Sequence, residues 1–215
     1  MTIEQVWREG RIIRGEWSRE ENGRQLLCLY TALAGDPEAR PESCPASLCP
    51  RWLAHLLPNI DDYGSREKWP AVVERVVRLA PRFASLPPEV EWRVRALCVR
   101  EAMRYTEDSA VLAICELVAS LCERRGFRKI VSDADLAEAA SAAWESVWSL
   151  TWSASSESAA SAERIASLTA GRAASVSAAS AMSVGWELAS SARAEATDRL
   201  IDAILDEIER AARCA

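Results

Sequence analysis

The segment from Ser141 to Ala196 constrains the fold of this chain most, because 32 of its 56 positions are alanine or serine. Larger side chains tend to return at every fourth position, beginning with Trp144, Trp148 and Trp152. Alanine favours helix, but an α-helix repeats every 3.6 residues, so a four-residue repeat drifts by about 40° at each step. The large side chains therefore wind around the helix, and one flat partner surface fails to bury them all.

Two arrangements accommodate this drift. Either the helix is broken, with Gly171 and Gly185 as the best-suited breaks, or neighbouring elements wrap around it. Faces of alanine and serine let helix backbones approach closely, as in a tight helical hairpin or an oligomeric bundle. Residues 196–212 then return to a conventional amphipathic helix, whose inward positions are Leu200, Ile201, Ile204, Leu205 and Ile208.

Helical patterns also dominate the first 130 residues, since glycine and proline are sparse outside a proline-rich loop over residues 36–50. The predicted helices cover 18–34, with Ser18 as N-cap and Gly35 closing it, 51–57, stopped by Pro58, 67–79, a segment after Pro88, and 109–125. We predict an all-α fold: a compact helical domain over 1–132, and over 133–215 an Ala/Ser-rich arm, one long helix or a helical hairpin, ending in the C-terminal amphipathic helix.

The charge distribution excludes some classes of function. The net charge is −6, and residues 133–215 hold 13 acidic against 6 basic side chains. Coating nucleic acid or an anionic membrane needs a concentrated basic face, so direct nucleic-acid binding is not expected. Charged residues interrupt any apolar run near Met1, and the uncharged stretch from Ala173 to Trp186 is too short to cross a bilayer. We expect a cytoplasmic protein whose seven cysteines are mostly reduced and buried.

A catalytic hypothesis must use His55, the only histidine. Cys28 or Cys49 would be its nucleophilic partner, since a thiol needs a base within hydrogen-bond reach. Together with Cys44 these residues count to four zinc ligands, but their spacing, C-x15-C-x4-C-x5-H, is not a standard zinc pattern. We expect structural thiols, no metal and no cofactor, and keep Cys28, Cys49 and His55 as a weak catalytic alternative.

The densest basic and aromatic stretch lies near the N-terminus. Arg11, Arg14, Trp17 and Arg24 are candidate ligand-binding residues, because arginine forks grip phosphate and an indole face stacks on a base. Interspersed glutamates make internal ion pairs an equal alternative. The adjacent Asp61 and Asp62 are interpreted first as a turn before the next helix, and otherwise as carboxylates that receive a cation or an arginine.

Trp144, Trp148 and Trp152 form an aromatic ridge at positions i, i+4 and i+8 of one helix. The ridge packs either into the core or against a partner protein or a second copy, since tryptophan dominates interface energies. Core packing is the simpler interpretation, and the interface is the alternative.

Three stretches together resemble a group of uncharacterised phage and prophage proteins: WREGRIIRGEWSREENGRQLLCLYTAL, CPASLCPRWLAHLLPNIDD, and the alanine-rich region with periodic aromatic residues. The resemblance spans most of the chain and brings no catalytic residues. It implies a phage gene product that acts in the cytosol of a bacterial host, where counter-defence roles are common among small accessory proteins.

The sequence thus predicts a non-enzymatic accessory protein that acts by binding. Its expected partner is a host bacterial protein, which it blocks, or a small nucleotide signal, which it sequesters. A Cys/His-dependent hydrolase or transferase and a self-assembling helical protein, a homo-oligomer, remain as alternatives.

Overall fold

The structure is a computed structural model that describes residues 1–153, 166, 169–174 and 194–214. Within these ranges it describes no side chain for Tyr63, residues 147–153, Ala194, Ala196 or Cys214. The described part is mostly helical, which confirms the coarse expectation of a helical fold. It also contains a small antiparallel hairpin near the N-terminus, which corrects the all-α expectation. None of its described helices has the length and apolarity needed to cross a membrane.

Contacts divide the chain into two compact units. Unit 1 comprises Met1–Pro87 and Leu205–Ala215, and unit 2 comprises Pro88–Ile204. The predicted domain boundary near residue 132 lies inside unit 2, between two helices that pack on each other. The last helix contributes residues to both units.

Unit 1 contains most of the short elements. They are α1 (Ile3–Arg8), β1 (Ser18–Glu21), β2 (Arg24–Leu27), α2 (Leu29–Ala34), α3 (Arg51–Tyr63), α4 (Trp69–Leu79), and 3-10 turns at Pro41–Ser43 and Ala80–Ser85. A capping box fixes the start of α1, since the Thr2 hydroxyl accepts from the Gln5 N–H and the Gln5 side chain accepts from the Thr2 N–H.

The predicted helix over 18–34 is wrong in its first half. Ser18 begins β1 instead of capping a helix, and β1 pairs with β2 in the register Ser18 to Leu27. The reason is the dipeptide Asn22-Gly23, whose φ angles of 52° and 72° make the left-handed two-residue turn of a hairpin. The second half is helical, and Gly35 ends α2 with φ of 70°, as predicted.

Pro58 does not stop the third helix, which continues to Tyr63. Proline inside a helix costs about 3 kcal/mol through its missing N–H and its steric clash. The side chains of Leu56, Leu57 and Ile60 are almost completely buried, and each contributes about 1.5–3 kcal/mol. Of the three, only Ile60 lies beyond Pro58, so its burial offsets part of the cost of the proline; the extra turn carries Asp61 and Asp62 on a helix, not in a loop.

The core of unit 1 is apolar and draws on all of its helices. Its most buried side chains include Val6, Leu27, Leu29, Leu53, Val76, Phe83 and Ile208. The final helix, α8 (Ala194–Cys214), adds ion pairs from Arg75 to Asp206 at 2.6 Å and to Glu209 at 3.4 Å. The amphipathic prediction for α8 is confirmed, because all five of its predicted inward residues are buried.

Unit 2 is built from long helices. They are α5 (Glu89–Ala102), α6 (Ser109–Gly126), α7 (Asp133–Ser153), the helical residues 169–174 and the first part of α8, with a 3-10 turn at Met103–Tyr105. The Asp108 carboxylate caps α6 by accepting from the N–H groups of Ala110 and Val111. Arg100 of α5 pairs with Glu116 and Glu123 of α6.

Part of the Ala/Ser-rich region is buried inside unit 2. The thiols of Cys115 and Cys122 on α6 contact the carbonyl oxygens of Ala166 and Ala173, at 3.6 and 3.9 Å. Both pairs are 51 positions apart, so the two segments run in the same direction and in register over two helical turns. Ala166, Ala170 and Ala173 are fully buried, in agreement with the expected close approach of backbones. Residues 154–165, 167–168 and 175–193, which include the predicted break at Gly185, lie outside the described residues.

Candidate functional site

A cavity of about 580 Å³ opens in unit 1 where the end of α3 meets the segment that precedes β1. It is lined by Arg14, Gly15, Asp62, Gly64, Arg66 and Trp69. We call this cavity the Arg14 pocket. Its volume lies within the roughly 300–1,000 Å³ typical of small-molecule sites.

Arg14 holds its place by capping the carboxyl end of α3. Its Nη2 donates to the backbone carbonyl of Asp62 at 2.7 Å and to that of Gly64. The last carbonyls of a helix lack partners within the helix, and a cation there is favoured by the helix dipole. The other terminal nitrogen, Nη1, is buried and has no hydrogen-bond partner within the described part of the chain. Arg14 therefore has a structural role and an unmatched donor.

Asp61 is buried directly behind the pocket, with 1% of its surface exposed. Its carboxylate accepts from the indole Nε1 of Trp69 at 2.7 Å and, more weakly, from the backbone N–H of Leu29 at 3.5 Å. Burial raises the pKa of Asp61 from 3.8 to about 7, although these two hydrogen bonds and the charge of Arg14 act in the opposite direction. The carboxyl thus fixes the Trp69 ring at the start of α4.

Asp62 lies at the rim of the Arg14 pocket and keeps much of its surface exposed. Partial withdrawal of its carboxyl from water raises its pKa, against the effects of the Gly15 N–H and the charge of Arg14. The pocket thus presents a carboxylate as an acceptor beside guanidinium donors. Hydroxyl and amino groups of a ligand suit such an acceptor.

Arg66 supplies the second guanidinium. It lies in the loop between α3 and α4, is exposed, and forms no ion pair or hydrogen bond within the described residues. With Arg14 it gives the pocket two guanidinium groups against the one carboxylate of Asp62. Planar guanidinium groups bind phosphate oxygens in pairs, so this balance favours an anionic ligand.

A smaller cavity of about 90 Å³ adjoins the Arg14 pocket and shares Gly15 and Asp62 with it. Its lining also includes Trp17, Cys28 and Asp61. Trp17 is 40% exposed, and the guanidinium of Arg40 lies 5.2 Å from its ring centre. An indole in this position offers a flat surface for stacking next to the two arginines.

The four sequence-predicted ligand residues do not all lie together. Arg14 lines the Arg14 pocket and Trp17 lines the adjoining cavity. Arg11 is held internally by Glu9 at 2.7 Å and by the carbonyl of Gln25 at 3.0 Å. Arg24 is exposed at the start of β2 and lines neither cavity.

The two thiols of the catalytic alternative, Cys28 and Cys49, are both buried. Burial raises the pKa of Cys28 and of Cys49, which disfavours the reactive thiolate of each. The Cys28 sulfur accepts from the N–H of Thr31 and caps α2, and the sulfur of Cys49 faces that of Cys44. His55 is half-buried on α3, where its carbonyl accepts from the Asn59 side chain. Among the described side chains, no group of histidine, cysteine and carboxylate residues is arranged to hold a metal ion.

Of the tryptophan ridge, only the side chain of Trp144 is described. It is half-buried and packs on Gly171, where an added Cβ would lie 3.3 Å from two indole atoms. Gly171 leaves room for this ring. It is helical, so the predicted helix break does not occur at this residue. Trp148 and Trp152 lie outside the described side chains.

Sequence reasoning missed Arg66 and Trp69 as site residues. Arg66 lies in the short loop after the carboxylate pair and Trp69 begins α4, whereas the predicted stop at Pro58 placed Asp61 and Asp62 before a turn. No protein-family model, curated protein or solved structure matches this chain.

Proposed function

We propose that this chain is a non-enzymatic binding protein that sequesters a mononucleotide in the Arg14 pocket. One observation supports the proposal above all: Arg14, Arg66 and Trp69 line the same cavity of about 580 Å³. Guanidinium groups suit the phosphate, and an indole ring suits the base. Asp62 supplies an acceptor for sugar hydroxyl or base amino groups.

The resemblance to phage and prophage proteins supports a role in an infected bacterial cell. Removal of a nucleotide signal from the host cytosol would counter a defence that depends on that signal. The raised pKa of Cys28 and of Cys49 disfavours either thiol as the nucleophile of a hydrolase or transferase.

The test is a thermal-shift panel of inorganic phosphate, nucleosides, nucleoside monophosphates and nucleoside diphosphates. We expect nucleotides to stabilise the chain and nucleosides and phosphate alone to do so much less. Arg66→Gln should weaken the binding at least about tenfold, since a hydrogen bond to a charged group contributes about 1.5–3 kcal/mol. Arg66 holds no described internal contact, so this change leaves the fold intact.

Arg24→Gln is the matched control, because Arg24 is also exposed and lies outside the pocket. Its affinity should equal that of the unmodified chain. Absence of stabilisation by every nucleotide, or equal affinity in Arg66→Gln, would refute the proposal.

A second function, inhibition of a host protein, is favoured by the loop that follows α6. Phe127 and Ile130 are 65% and 93% exposed there, beside Arg128 and Lys129. Exposed large apolar side chains of this kind mark interaction surfaces. In an assay of counter-defence activity in a bacterial host, Ile130→Asp would abolish the activity under this second function, whereas Arg66→Gln would reduce it under nucleotide sequestration.

A further inference from the structure

We propose that Cys44 and Cys49 form a reactive dithiol that hydroperoxides convert into a disulfide. The two sulfur atoms lie 3.5 Å apart in the proline-rich loop between α2 and α3. A turn brings them together, because the Leu48 N–H donates to the Pro45 carbonyl at 2.9 Å and reverses the chain between the cysteines. A disulfide needs a sulfur separation of about 2.05 Å, so closure requires a movement of roughly 1.5 Å.

The two thiols differ in access. Cys49 is buried, and burial together with the neighbouring Cys44 raises its pKa. Cys44 is only half-buried. Ser43 and Pro45, which flank Cys44 in the chain, line a cleft of about 320 Å³. A small oxidant therefore reaches Cys44 first, and Cys49 serves as the resolving thiol.

The oxidation balances in two steps. The Cys44 sulfur, after losing its proton to water, attacks one oxygen of hydrogen peroxide, the O–O bond breaks, and one water leaves. The resulting sulfenic acid is attacked by the Cys49 sulfur, the S–O bond breaks, the S–S bond forms and a second water leaves. The two sulfurs together lose two electrons, which the peroxide oxygens accept.

The surroundings hold the dithiol in place. Tyr30, on α2, is buried and donates its hydroxyl to the carbonyl of Arg40 at 3.0 Å. The same hydroxyl lies beside Cys44, and burial, with that neighbour, raises the pKa of Tyr30. The hydrogen bond from Tyr30 fixes the loop to the core of unit 1, so the two sulfur atoms stay close without a covalent bond between them.

The experiment is differential alkylation of the intact chain before and after hydrogen peroxide treatment. Cleavage after glutamate releases residues 43–67, which contain Cys44 and Cys49 and no other cysteine. We expect this peptide to lose both alkylation sites and the mass of two hydrogen atoms, and thioredoxin with its reductase to restore both sites. Phenylarsine oxide, which bridges close dithiols, should protect the same peptide from alkylation.

Cys44→Ser and Cys49→Ser separate the proposal from general oxidation. Each should abolish protection by phenylarsine oxide, and Cys49→Ser should leave Cys44 as a sulfenic acid that dimedone traps. Cys115→Ser, which removes a buried thiol of unit 2, should leave the reaction unchanged. Full alkylation of both sites after peroxide would overturn the proposal, as would trapped sulfenic acid at Cys44 in the unmodified chain without disulfide formation.

Discussion

Asp61→Asn should remove most of a pH dependence that we expect in the unfolding of unit 1. The Asp61 carboxyl is buried, and its pKa rises from 3.8 to about 7 on folding. The folded state holds this proton more tightly than the unfolded chain does. The resulting gain in stability is therefore complete only below pH 3.8, the pKa of the unfolded chain. Its contribution is lost as the pH rises towards 7.

The size of the effect follows from the two pKa values. The folded and unfolded pKa values differ by about three pH units, and each unit corresponds to about 1.4 kcal/mol. The free energy of unfolding should therefore fall by about 4 kcal/mol between acidic and neutral pH through this group alone. The charged and titratable groups that face Asp61 are Arg14, Asp62 and Cys28. Of these, only Asp62 changes its protonation within part of the pH range over which Asp61 does.

Urea unfolding at a series of pH values from 4 to 8, followed by tryptophan fluorescence, measures the effect. The difference in unfolding free energy between the unmodified chain and Asp61→Asn isolates the Asp61 contribution from that of every other group. Asp62→Asn is the matched control, because the neighbouring carboxyl is more exposed and its pKa is raised less far. It should show a smaller change of the same sign.

A difference in unfolding free energy between the two proteins that stays constant with pH would contradict a raised pKa at Asp61. So would a difference of opposite sign, in which the unmodified chain gains stability as the pH rises. Either result would mean that the Trp69 hydrogen bond and the charge of Arg14 outweigh burial, so that Asp61 is ionised in the folded chain.

Three further predictions concern other parts of the chain. Trp144→Ala should lower the free energy of unfolding by about 3 kcal/mol with no change of mass in light scattering, and an altered oligomeric state would contradict internal packing. Gly126→Ala should cost about 1–3 kcal/mol in urea unfolding, because the new Cβ would lie 2.5 Å from Arg93 Cγ; equal stability would contradict this crowding. His55→Gln should leave the nucleotide affinity measured by calorimetry and the counter-defence activity unchanged, and loss of either would favour the enzyme alternative.

The sequence predicted the long helices well, because each carries its own signals. Asp108 caps α6, and the five inward residues of α8 repeat at helical spacing over a polar background. Local propensity was overridden at Pro58, where burial of Ile60 in the core favours continuation of the helix. The hairpin did have a local signal, since Asn22-Gly23 favours a two-residue turn, but Ser18, a favourable N-cap residue, indicated a helix start at the same place.

The candidate site could be predicted only in part. The expected ligand residues were taken from one basic stretch, and only Arg14 and Trp17 line the two adjoining cavities. The partner residues Arg66 and Trp69 come from about fifty residues later in the chain. Their approach depends on how the end of α3 meets the segment before β1, and that tertiary contact leaves no periodic pattern in the sequence.

Isothermal titration calorimetry of the intact chain with the most stabilising nucleotide is the decisive test of nucleotide sequestration. We expect one binding site per chain, an affinity at least about tenfold weaker in Arg66→Gln, and an unchanged affinity in Arg24→Gln. Absence of binding heat with every nucleotide across temperatures, or equal affinity for all three proteins, would contradict the assignment of the Arg14 pocket as a nucleotide site.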